Sequence, residues 1–123
     1  MTAAVVSLVL LAALAVFQGL LVAGLPLGRF AWGGQNEVLP TAQRIGSAVS
    51  VALYAAFAVL MLQAAGAVTV LPRSAADVAI WVLTAYLCLG VAMNAASRSR
   101  PERLVMTPVA LVLAVVCLVL ALS

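Results

Sequence analysis

The side chains able to do chemistry are few, and their types narrow what that chemistry is. Six arginines and three acids carry all the charge of the 123-residue chain, and there is no lysine and no histidine. Without histidine, the commonest general base and the commonest metal ligand are missing. No Ser/His/Asp set, Cys/His pair or Gly-Lys phosphate loop can be assembled. Cys88, Cys117 and the acids lack metal-ligand spacing. The chain is therefore expected to be no enzyme and to use no metal or cofactor. Glu37 beside the arginines is the one set that could work on a lipid phosphate, since arginine forks match phosphate and carboxylate.

The other two acids have a local explanation. Ser74-Ala75-Ala76-Asp77 and Ser99-Arg100-Pro101-Glu102 both fit the capping box, with serine at the cap and an acid three residues later. Asp77 and Glu102 are thus expected to tie off helix starts and complement the helix dipole. Cys88 and Cys117 fall at depths differing by roughly 14 Å, beyond the Cα separation of about 7 Å that a disulfide spans. Both read as small buried hydrophobes.

These groups must be positioned by membrane helices. With 67% hydrophobic and 7% charged residues, the chain has too few polar groups to cover a water-facing surface. Four apolar runs, at roughly 2–25, 42–65, 75–96 and 100–122, are each long enough to cross a bilayer as a helix. None shows the two-residue alternation of barrel strands. The predicted fold class is an all-α membrane protein, one domain of four transmembrane helices in a small bundle. Pro26 ends the first run, and Gly66 is placed to cap the second. Short loops with basic residues stay in the cytoplasm. Arg29, Arg44, Arg98, Arg100 and Arg103 in or beside the first and third loops, against Arg73 alone in the second, predict both termini outside.

Uncharged polar residues then fall at one depth. Gln18, Ser47, Ser50, Asn94 and Thr107 lie in the half of the membrane nearest the first and third loops, with Tyr54 and Tyr86 slightly deeper. Ser47, Ser50 and Tyr54 share a face of the second helix, and Tyr86, Gly90 and Asn94 share a face of the third. Gly46/Ser50 and Gly90/Asn94 read as close-approach pairs between helices. Pro108 frees the Leu104 carbonyl, which then needs a partner. Such a layer acts either as packing glue, at about 0.6–2 kcal/mol per residue, or as a binding vestibule rimmed by arginines. The candidate ligand- or lipid-binding residues are Gln18, Arg29, Trp32, Arg44, Ser47, Ser50, Tyr54, Tyr86, Asn94 and Thr107. The first loop, with two prolines, Gly33-Gly34, Phe30 and Trp32, is expected to fold against the mouth of this layer.

The stretches PLGRFAWGGQNEVLPTAQRIGSAVSVALYAAFAVL and MNAASRSRPERLVMTPVAL resemble segments of a group of small bacterial integral membrane proteins with no assigned activity, over about half the chain. The resemblance implies a four-helix protein of a bacterial plasma membrane and carries over no functional residue. Coupled transport usually needs an ionisable group within the membrane, and none is expected near the bilayer centre. The predicted role is a non-enzymatic scaffold, accessory subunit or binder of lipid or a small ligand, working through its arginine-rimmed half. The alternative is uncoupled passage of a small solute through an oligomer. Expected partners are anionic lipid headgroups and a second copy or another membrane protein. No nucleic acid partner is expected.

Overall fold

Each apolar run folds as a helix long enough and apolar enough to cross a membrane: α1 (Thr2–Val22), α2 (Thr41–Ala64), α3 (Arg73–Ala95) and α4 (Arg100–Leu122). The structure, a computed structural model, describes residues 2–123. It is an all-α protein with no strand among the described residues. Loops 1, 2 and 3 join the helices in order, and loop 1 adds two 3-10 turns, Gly28–Phe30 and Trp32–Gly34.

Local rules set some helix ends and fail at others. Gly66 adopts φ +82, and the Gly66 and Ala67 amides donate to the Gln63 and Leu62 carbonyls at 3.0 and 2.9 Å. This is the Schellman cap anticipated for α2. The same motif closes α1 at Gly24 (φ +93), so α1 stops at Val22 and not near residue 25. The Ser74 capping box does not form. Helix α3 starts two residues earlier, at Arg73, with Pro72 in the cap position, which places Ser74 inside the first turn. Ser99 does occupy the cap position of α4, but its side chain makes no capping bond.

The four helices run up and down as two hairpins. Helix α1 packs along α2 and α3 along α4, and the hairpins join mainly through α1 and α4. Helices α2 and α3 touch more lightly, although loop 2 connects them directly. A buried core of Leu11, Met61, Ile80, Leu83, Leu87, Leu113, Cys117 and Leu120 fills the half of the bundle toward loop 2. Within it the Thr84 hydroxyl donates to the Ile80 carbonyl at 2.8 Å and lies 3.2 Å from Cys117 Sγ. A polar pair in the apolar half is tolerated because it is satisfied within the helix contact. Cys117 is buried, as expected, whereas Cys88 faces outward, and both thiols are free. Loop 2 is clamped by Gln63, which donates to the Leu71 carbonyl at 2.7 Å and accepts from the Val70 and Leu71 amides at 3.1 and 3.0 Å.

Candidate functional site

Loop 1 closes on itself before it closes on the bundle. The Gly28 amide donates to the Glu37 carbonyl at 2.8 Å, drawing residues 28 and 37 together. Ala31 and Leu39 are then buried against Leu21, with Phe17 and Leu27 packed around them. From this base Trp32 projects with a left-handed backbone, φ +52, a conformation that a bulky side chain rarely adopts. Its indole N–H donates to Ser47 Oγ at 3.1 Å. Its ring lies against Gly46, where a Cβ would stand 2.6 Å from two indole carbons. Gly46 is therefore small to receive Trp32, and its predicted pairing with a neighbouring helix is replaced by this contact.

The second attachment uses the α4 capping box in an unanticipated way. The Ser99 hydroxyl donates to the Arg29 carbonyl, and Glu102 Oε2 accepts the Gly33 amide at 3.3 Å. Both side chains expected to cap α4 instead bind loop 1. Loop 1 is thus strapped to α2 through Trp32 and to α4 through Glu102 and Ser99, so it holds both hairpins.

Beneath this lid, where α2 and α3 stand apart, lies a half-open cavity of about 620 Å³. Trp32 and Gly33 line its mouth, and Leu11, Leu87 and Leu113 line its inner end. Those three leucines also belong to the buried core, so the cavity ends blindly halfway through the bundle. Of the two Trp, two Tyr and three Phe in the chain, all but Trp81 line it. Phe57 links the two tyrosines, its ring centroid 6.3 Å from Tyr54 and 5.5 Å from Tyr86. Gln18 reaches Tyr54 Oη through a long 3.5 Å contact, while Gln18 Oε1 is buried without a hydrogen-bond partner. Glu102 is only 7% exposed and also lines the cavity.

Of the ten candidate residues, Gln18, Trp32, Tyr54, Tyr86 and Asn94 come together in the cavity wall. The others serve elsewhere. Ser47 is buried as the acceptor for Trp32, and Ser50 donates to the Gly46 carbonyl of its own helix at 3.1 Å. Arg44 Nε donates to the Val22 carbonyl at 2.9 Å, completing the end of α1. The Arg29 guanidinium sits 4.9 Å from the Phe30 ring centroid, outside the cavity. Thr107 Oγ1 is buried without a partner, away from the cavity wall. Arg103 behaves like Arg44 and donates to the Ser97 carbonyl at 3.0 Å. Arg44 thereby satisfies a carbonyl at the C-terminus of α1, where a positive charge is also favoured by the dipole, whereas the Ser97 carbonyl lies in loop 3, just beyond α3. Gly90 has no heavy atom within 4 Å of where its Cβ would be. It borders open cavity, and the expected close approach there is absent.

Glu102 and Phe57 also line the cavity, and neither stands among the residues that the sequence puts forward for binding. The capping rule assigns Glu102 to the start of α4 and so hides its place in the site. Phe57 lies three residues from Tyr54, on the same helix face, a signal that was present. Among the described residues no group of three Cys, Asp or Glu gathers as a metal site would require.

The fold and site define a class, a four-helix membrane-spanning protein with an aromatic cavity under a strapped loop. No protein-family model, curated protein or solved structure matches the chain.

Proposed function

We propose that this chain is a non-enzymatic membrane protein that binds one small, largely apolar molecule in the cavity between its hairpins. The observation that carries the reading is the gathering of every aromatic side chain but Trp81 around one space. Aromatic residues concentrated at a partly open cavity of this size, with a few polar groups among them, are the usual make-up of a small-molecule site. The blind inner end favours binding over uncoupled passage. Native mass spectrometry of the chain extracted gently from its own membrane is expected to show one small molecule per chain beyond detergent and bulk lipid. A stoichiometric protein partner with an empty cavity would instead support an accessory subunit.

The same proposal places the protein in a bacterial plasma membrane with loops 1 and 3 in the cytoplasm. The exposed Arg29, Arg98, Arg100 and Arg103 would then meet anionic headgroups, at about 1 kcal/mol each. The outward apolar helix faces would meet lipid, a second copy or a partner's helices. Orientation is tested with a cysteine at the exposed Glu37 in a Cys88→Ala, Cys117→Ala background. Gly34 is unsuitable for this, because a side chain there would collide with Ser99. An impermeant thiol reagent is expected to label Glu37→Cys only after the cells are opened, and labelling of intact cells would reverse the orientation.

A further inference from the structure

We infer that the cavity is selective for a lipophilic organic cation, with the Glu102 carboxylate as its counter-ion; this rests on the binding reading above and gives its ligand a charge. Glu102 is 93% removed from solvent by the fold, being only 7% exposed, and no basic residue is among the described residues that line the cavity. A carboxylate offers about four acceptor positions, yet the one hydrogen bond described for it is the 3.3 Å contact from the Gly33 amide. A buried charge requires a partner of opposite sign or several hydrogen bonds. Its first-turn position on α4 complements the helix dipole, but an exposed carboxylate would do that equally well. The dipole leaves the burial under the lid unexplained.

The rest of the wall has the same preference. The faces of Trp32, Tyr54, Phe57 and Tyr86 carry the negative ring quadrupole that attracts cations. Gln18 Oε1 adds a buried acceptor with no donor, which an N–H group on the ligand would satisfy. The arginines nearby do not cancel this. Arg44 and Arg103 direct their guanidinium groups to the Val22 and Ser97 carbonyls, and no arginine lines the cavity. Arg29, Arg98 and Arg100 are exposed, where water weakens their pull on a group inside the cavity. A cation entering the site would take Glu102 as its partner in competition with the Gly33 amide, so occupancy and the hold on the lid share one carboxylate.

The test uses two probes of matched shape and opposite charge, tetraphenylphosphonium and tetraphenylborate, with the full chain in a non-ionic detergent. Binding is measured by equilibrium dialysis against the Gly90→Phe chain, which subtracts partition into the micelle. Tetraphenylphosphonium is expected to bind saturably, one per chain, and at least about tenfold more tightly than tetraphenylborate. Glu102→Gln keeps an acceptor for the Gly33 amide and is expected to weaken tetraphenylphosphonium by about tenfold or more while sparing tetraphenylborate. Should Glu102→Gln fail to fold, the comparison of the two probes on the native chain still decides. Competition by added phosphatidylethanolamine would assign the natural occupant to lipid amines, and its absence to a free cation; both keep the inference. Equal binding of the two probes, lost together in Gly90→Phe, would overturn the cation selectivity and leave the binding reading standing. Saturable binding of neither probe would overturn both.

Discussion

Gly28→Ala is expected to detach loop 1, so that trypsin cleaves after Arg29 on the order of a hundredfold faster than in the native chain. A Cβ at Gly28 would lie 1.7 Å from the Asn36 carbonyl oxygen and 2.8 Å from both the Asn36 carbonyl carbon and the Glu37 oxygen. All three neighbours are backbone, so no flexible side chain can yield. Moving that strand of the loop away would also break the bond from the Gly28 amide to the Glu37 carbonyl, on which the burial of Ala31 and Leu39 depends. Overpacking of this kind costs about 3 kcal/mol, which a local opening equilibrium reads out as faster cleavage. The transmembrane helices are expected to stay folded, since their own contacts are untouched. A cleavage rate equal to that of the native chain would mean that loop 1 does not need this close approach.

Gly90→Phe is expected to abolish binding in the cavity, with affinity for its occupant falling by more than about a hundredfold. The opposite outcome holds for stability. No atom stands within 4 Å of a Cβ at this position, so the ring enters open space. Leaving glycine in a helix interior also removes a penalty of up to about 1 kcal/mol. The thermal midpoint in detergent is therefore expected to stay level or to rise. Loss of the occupant together with a retained midpoint separates a filled cavity from a damaged bundle. An unchanged affinity would place the site elsewhere. A helix-contact role for Gly90, as the sequence alone implied, would instead make this substitution strongly destabilising.

That reversal shows which information a single chain carries about such a fold. The four spans and the glycine cap at Gly66 were legible because they depend on hydrophobic length and on a few consecutive residues. Depth was legible as well: Gln18, Tyr54, Tyr86 and Asn94 lie in one layer and meet in the cavity. Rotation about the helix axis was legible for α3, where Tyr86, Gly90 and Asn94 all line the cavity, and failed for α2, where Tyr54 lines it while Ser47 and Ser50 bond to Trp32 and to Gly46. Where a helix carries only a few small polar groups, they bond to its own backbone as readily as they face inward, so Ser50 and Thr107 share the depth of the layer without lining its cavity. The α4 capping box failed for a different reason. Its residues were read correctly in type and spacing, but the groups that bind Ser99 and Glu102 are 70 and 69 residues earlier in the chain. No short window contains that docking. Arg44 follows the same pattern: counting arginines argues a side of the membrane for it, while the Val22 carbonyl it engages is 22 residues earlier.

Trp32 adds a directional property to the lid. Its left-handed backbone, φ +52, stores about 1–2 kcal/mol, and this is maintained by the bond to Ser47 and the fit against Gly46. Loop 1 therefore sits against a local recoil: the bond to Ser47 and the fit against Gly46 offset the backbone cost, and removing either leaves that cost less opposed.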